Sequence, residues 1–148
     1  MKQLALAIAI ASDAFKNKLD KGGQPYVLHL LRVWLGVKDE SEDIQCAAWL
    51  HDLVEDFPDE WDIGKLLIVG FSVETAHMVN LLTHLKGIHY HSYINTLSLH
   101  RGATLIKMSD LRDNSDITRL KGLTNKDIDR LEKYVYSYNY LKKGLKLI

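Results

Sequence analysis

Apolar residues recur along this chain at helical rather than strand spacing. Leu4 to about Lys18 is rich in alanine and leucine, both strong helix formers. Gly22 and Gly23 mark a loop, and Pro25 suits the first turn of a second helix, about Pro25 to Val37. That helix is apolar almost all round, as a central core helix is. Lys38-Asp39-Glu40 is a polar connection, and Ser41 with Asp43 and Ile44 behind it reads as the start of a third helix. The third helix runs on to Asp56, and Pro58 stops it by pushing Phe57 out of the helical region. A short helix over Asp62 to Leu67 ends at Gly70. Ser72 then caps a helix with Val73, Ala76, Val79, Leu82 and Leu85 on one side. Lys86-Gly87 breaks it, and Tyr90 to Leu99 fits a helix only moderately. Gly102 separates that segment from a helix over Ala103 to about Thr118. Thr124 caps the last helix, whose stripe is Ile128, Leu131, Val135, Tyr138 and Leu141. No hairpin, internal repeat or low-complexity tract interrupts this pattern. The expectation is an all-α bundle of seven or eight helices, forming one domain over residues 1–148.

Charge narrows the partners. With 19 basic and 19 acidic residues there is no net charge, whereas a non-specific nucleic-acid binder carries a basic excess. A single cysteine, Cys46, excludes an internal disulfide and fits a reducing compartment. It lies in an apolar run and reads as a buried structural thiol. Residues 1–12 have the single positive charge and apolar core of a short secretory signal, but Asp13, Phe15, Lys16 and Lys18 follow at once and continue a helix. No stretch approaches the roughly 20 apolar residues of a membrane span. These features predict a soluble, cytoplasmic protein.

One stretch is chemically unusual. Ala47-Ala48-Trp49-Leu50-His51-Asp52-Leu53-Val54-Glu55-Asp56 delivers a His-Asp pair and then a Glu-Asp pair at the end of an apolar segment. On a continuous helix, positions 51, 52, 55 and 56 share one side, one turn apart. Carboxylates buried on an apolar scaffold are costly unless a metal or a partner compensates them. Two further places hold what a metal would need: His29, in a nearly continuous apolar run, and Asp110, in Leu105 to Asn114. Each alone is as well explained as a satisfied core histidine and as a carboxylate paired with Lys107 or Arg112.

One His, a His-Asp doublet and a distant Asp, in this order, resemble the HD-domain phosphohydrolases. More narrowly, the sequence is similar to the hydrolase domains of RelA/SpoT-type enzymes and their small single-domain relatives, which cleave the alarmone ppGpp. The matching pieces are Gly23-Gln24-Pro25-Tyr26-x-x-His29, Leu50-His51-Asp52-x-x-Glu55-Asp56 and Lys107-x-x-Asp110-x-x-x-Asn114. The resemblance implies that His29, His51, Asp52 and Asp110 ligate one divalent metal. Two imidazoles and two carboxylates suit Mn²⁺, Fe²⁺, Mg²⁺ or Zn²⁺, and the resemblance favours Mn²⁺. It also implies that Glu55 and Asp56 handle the proton of an attacking water, and that Lys21, Tyr26, Lys107 and Asn114 contact a nucleotide substrate. Lys107 reads equally well as a phosphate ligand or a partner of Asp110, and Asn114 as a substrate ligand or a cap.

The departures fall among substrate-reading positions. Where the alarmone hydrolases usually carry Arg-Lys before the Pro-Tyr element, this chain has Asp20-Lys21, and where a Thr often follows the Asn it has Ile117. The implied activity is ppGpp 3′-pyrophosphohydrolysis. A deoxynucleotide 5′-phosphohydrolase and a non-catalytic nucleotide-binding HD module are the alternatives. His84, His89, His91 and His100 follow no metal-ligand spacing and read as scattered surface residues. Tyr134, Tyr136, Tyr138 and Tyr140 spread over several faces of a helix and read as packing.

Overall fold

The structure, a computed structural model, describes residues 2–146. The helices are α1 (Lys2–Ala14), α2 (Val27–Leu35), α3 (Glu42–Leu50), α4 (Leu53–Asp56), α5 (Ile63–Val69), α6 (Val73–Leu82), α7 (Tyr90–Leu97), α8 (Arg101–Asn114) and α9 (Asn125–Leu145). A 3₁₀ turn covers Ile117–Arg119. No strand occurs among the described residues, only an isolated bridge between Leu19 and Pro25 across the loop after α1. None of the described helices is long and apolar enough to cross a membrane.

Side-chain caps start the helices where the sequence places them. Ser41, Asp62 and Ser72 accept the amides of Ile44, Lys65 and Thr75, and Thr124 with Asp127 forms a reciprocal capping box. Gly70, at φ 117°, closes α5 in the left-handed region open to glycine.

The central helix is α3, not α2. Residues Gln45 to Leu50 are all buried, and α1, α2, α6 and α8 pack around this segment. Its run of small residues, Cys46, Ala47 and Ala48, lets several helix backbones come close. Helix α2 buries His29, Leu30 and Val33 but leaves Leu28 and Leu35 exposed, so its apolar circumference is only partly used. Gly102 does not separate two helices either. It is buried inside α8, where an added Cβ would lie 2.6 Å from Met78 Sδ and 3.0 Å from Ile44 Cγ1, so it permits a close helix crossing. Helix α8 stops at Asn114 rather than near Thr118 because Asp116 turns the chain, accepting the Thr118 amide at 3.1 Å and hydroxyl at 2.5 Å.

The third helix predicted through Asp56 is interrupted. Helix α3 ends at Leu50, α4 begins at Leu53, and His51-Asp52 form the joint between them. The Ala48 carbonyl, which an unbroken helix would offer to the Asp52 amide, accepts Nδ1–H of His51 at 2.7 Å. A side chain inserted into the backbone ladder is a recognised cause of a helix kink. Counting α3 and α4 as one broken helix gives eight among the described residues, within the predicted range.

Leu50, fully buried next to this joint, tests the packing. Leu50→Ala is expected to cost about 2–5 kcal/mol of unfolding free energy by urea titration.

Candidate active site

Three elements converge on one buried cluster. Helix α2 brings His29, the α3–α4 joint brings His51 and Asp52, and α8 brings Asp110. One potential ligand atom from each of His29, His51 and Asp52 lies within 4.8 Å of the others. Asp110 Oδ1 stands 3.2 Å from His29 Nε2 and 3.6 Å from His51 Nε2, and Asp52 Oδ2 is 3.1 Å from His51 Nε2. The structure thus brings together all four residues read from the sequence as ligands, with Asp110 beside the group of three.

Neighbouring groups hold each of these side chains. His29 Nδ1 donates to Asp113 Oδ2 at 2.6 Å and His51 Nδ1 to the Ala48 carbonyl at 2.7 Å, which leaves both Nε2 atoms facing inward. Tyr26 donates its hydroxyl to Asp52 Oδ2 at 2.5 Å. Lys107 Nζ reaches Asp110 Oδ2 at 2.7 Å, and Asn114 Nδ2 reaches Asp110 Oδ1 at 2.8 Å. Both inward Nε2 atoms are buried without a hydrogen-bond partner, close to carboxylates but not aligned on them. Two orphaned imidazole nitrogens opposite two carboxylates fit a divalent cation of the first transition row or Mg²⁺.

Without a cation, the cluster balances its own charge. Burial opposes an imidazolium at His51, yet Asp52 and Asp110 outweigh it and push the ring up to about 10. His29 behaves alike: burial opposes its charge, and Asp110, Asp113 and Asp52 lift it well above the usual range. Burial would raise the Asp110 carboxyl, but Lys107 and the two histidines hold it well below its ordinary value. Burial likewise disfavours the Lys107 ammonium, which Asp110 keeps charged.

The cluster floors an open cavity of about 330 Å³. Of the residues predicted to meet substrate, Lys21, Tyr26, Lys107 and Asn114 all line it, as does Glu55. In this state Lys107 and Asn114 are occupied by Asp110 and Tyr26 by Asp52, so all three brace the cluster. Desolvation at the cavity raises the Glu55 carboxyl above its ordinary value, and its Oε1 accepts the His84 amide at 2.6 Å. Asp56 does not join the cavity lining. It pairs with Lys18, whose ammonium also sits 4.1 Å from the centre of the Tyr26 ring. Asp56 follows Glu55 directly within α4, and adjacent residues of a helix point about 100° apart, so only Glu55 reaches the cavity.

Several lining residues were not read from the sequence: Lys18, Arg119, Arg130 and Tyr134. Arg130 and Tyr134 lie one turn apart on α9, where the tyrosines had been read as packing alone. Ile117 lines the cavity too. Asp20 carries its charge into an ion pair: Oδ2 lies 3.2 Å from Arg119 Nη1, while Oδ1 accepts the amides of Gly22 and Gln24, each at 2.9 Å. The remaining histidines form no second candidate metal group among the described residues. His84 stacks on Tyr93, His91 packs on Tyr140 and His100 pairs with Glu74. Cys46 is buried, and burial pushes its thiol up to about 12, an inert structural state.

A helical bundle with a buried His-Asp cluster under an anion-lined and cation-lined cavity defines the architecture. No family model matches the sequence. Among solved structures, a metazoan ortholog of SpoT, which hydrolyzes ppGpp and plays a role in starvation responses, is similar over 98% of this chain and 86% of that one. The TM-score is 0.75 at 21% sequence identity. The chain therefore has the helical fold of that hydrolase, as the sequence motifs led one to expect.

The charge balance sets a pH dependence for the EDTA-treated protein. The folded-state value of His51 is raised from 6.5 to about 10, so its stabilising contribution is complete below about 6.5 and fades as pH rises through 10. Asp110 is depressed, so its contribution is lost instead as pH falls below about 3.8. The melting temperature should decline between pH 6.5 and 10, and His51→Gln should flatten that decline. An equally steep slope in the variant would exclude His51 as the titrating group.

Proposed function

We propose that the protein is a metal-dependent phosphohydrolase acting on a nucleotide, with ppGpp 3′-pyrophosphohydrolysis as the specific reaction. The observation that carries this conclusion is the pair of buried, unpartnered Nε2 atoms of His29 and His51 facing Asp52 and Asp110. The fold shared with a protein that hydrolyzes ppGpp supports the choice of substrate. In this proposal those four side chains hold one divalent ion, Mn²⁺ by resemblance. Such an ion supplies positive charge that polarises a phosphoryl group and makes water more acidic.

The chain's own residues then divide the work. Glu55 accepts the proton of the attacking water. The His84 amide occupies Oε1, so Oε2 is the free oxygen, and desolvation raises the carboxyl above its ordinary value, which makes it a stronger base. Asp56, tied to Lys18, orients that lysine at the cavity wall and has no direct part in proton transfer. Lys18, Lys21, Arg119 and Arg130 border the cavity and attract an anionic substrate. Asp20 does not repel it, because Arg119 neutralises that carboxylate. The protein works as a soluble cytoplasmic enzyme on a small molecule.

Metal-stripped protein, resupplied with Mn²⁺, should release pyrophosphate from ppGpp. Asp52→Asn should abolish this release. Glu55→Gln should lower kcat by about 10²–10⁴-fold while leaving Mn²⁺ bound. Phosphate release from deoxynucleotides with none from ppGpp would reassign the substrate. No turnover of either, with metal bound, would make this a nucleotide-binding module.

A further inference from the structure

Helix α8 faces the His29 imidazole at both nitrogens. Asp110 Oδ1 stands 3.2 Å from Nε2, and Asp113 Oδ2 accepts Nδ1–H at 2.6 Å. The two carboxylates are three residues apart and so share one helix face. Asp113 is itself held from two more sides. Arg32 donates through Nε to Oδ1 at 2.6 Å, and Arg119 Nη2 reaches both the Asp113 carbonyl, at 2.6 Å, and Oδ2, at 3.2 Å.

The chain of contacts continues outward. The other terminal nitrogen of Arg119 pairs with Asp20, whose second oxygen organises the loop amides of Gly22 and Gln24. That loop packs closely on Arg119, since a Cβ at Gly22 would come within 2.7 Å of its carbonyl oxygen. It also carries Lys21, which lines the cavity. One continuous set of charged contacts thus runs from the buried imidazole to the cavity rim.

We propose that Asp113 is a positioning residue that fixes the ring orientation and tautomer of His29, and that Arg119 and Asp20 brace it against the loop bearing Lys21. The inference rests on the metal-centre reading above. A carboxylate at Nδ1 keeps the proton on that nitrogen and presents the Nε2 lone pair to the cluster. Two guanidinium groups prevent the carboxylate from turning away. The substitution of Asp20 into a position the resembled hydrolases give to arginine then has a use: it supplies the counter-charge for Arg119.

The test is Mn²⁺ binding to the full-length, metal-free protein by titration calorimetry, with thermal melts in parallel. Asp113→Asn should bind Mn²⁺ about 10–100-fold more weakly than wild type, still at one ion per chain. Arg119→Gln, which leaves Asp113 charged and paired with Arg32, should fold readily and lose about three- to tenfold. Leu141→Ala, a buried site far from the charged contacts in sequence, should lower the melting temperature and leave Mn²⁺ affinity unchanged. If Asp113→Asn and Arg119→Gln behave like Leu141→Ala, the contacts merely stabilise the fold and the positioning role is overturned. If the wild type binds no Mn²⁺, the metal-centre reading falls first and the inference with it. The two failures are separate because one is read on the variants and the other on the wild type.

Discussion

The cost of holding two imidazoles and two carboxylates out of water governs this molecule. Isolated, each charged group would be strongly destabilising inside a helical bundle. The structure meets that cost by giving each of the four side chains a further partner: Asp113 for His29, the Ala48 carbonyl for His51, Tyr26 for Asp52, Lys107 and Asn114 for Asp110. The two imidazole Nε2 atoms left without partners face the carboxylates. Fold and site are therefore one problem, since the helices that make the core are the same ones that must deliver these groups in register.

Helix α3 makes the delivery possible. Its small residues let α1, α2, α6 and α8 crowd around it, so groups on α2 and α8 can meet groups at its end. The site occupies the place where the helix is least regular. Beyond the joint at His51-Asp52, α4 turns Glu55 to the cavity and Asp56, the next residue round the helix, to Lys18 on its flank.

Features with local causes were legible in the sequence. Caps at Ser41, Asp62, Ser72 and Thr124 act within a few residues, as does the turn at Gly70, and each stands where the sequence places it. The four cluster residues were legible through motif spacing. Gly102 misled because a glycine that ends a helix and one that admits a neighbouring helix look alike until Met78 is placed beside it. Asp113 and Arg119 were not legible because their partners are far away: His29 lies 84 residues from Asp113, and Asp20 lies 99 from Arg119. The helix joint was hidden for another reason. It depends on which way one imidazole turns, and no residue pattern near His51 records that.

The bond between the His51 ring and the Ala48 carbonyl also bears on how mutants of this centre should be interpreted. Removing that ring takes away an inward nitrogen and, at the same time, frees a backbone acceptor that the Asp52 amide can claim. Replacing His51 would thus disturb both the cluster and the backbone at the joint, whereas replacing His29, which sits within an unbroken α2, would leave the helix ladder alone and strip Asp113 of its imidazole partner. The two histidines look equivalent in the cluster and are not equivalent as probes of it.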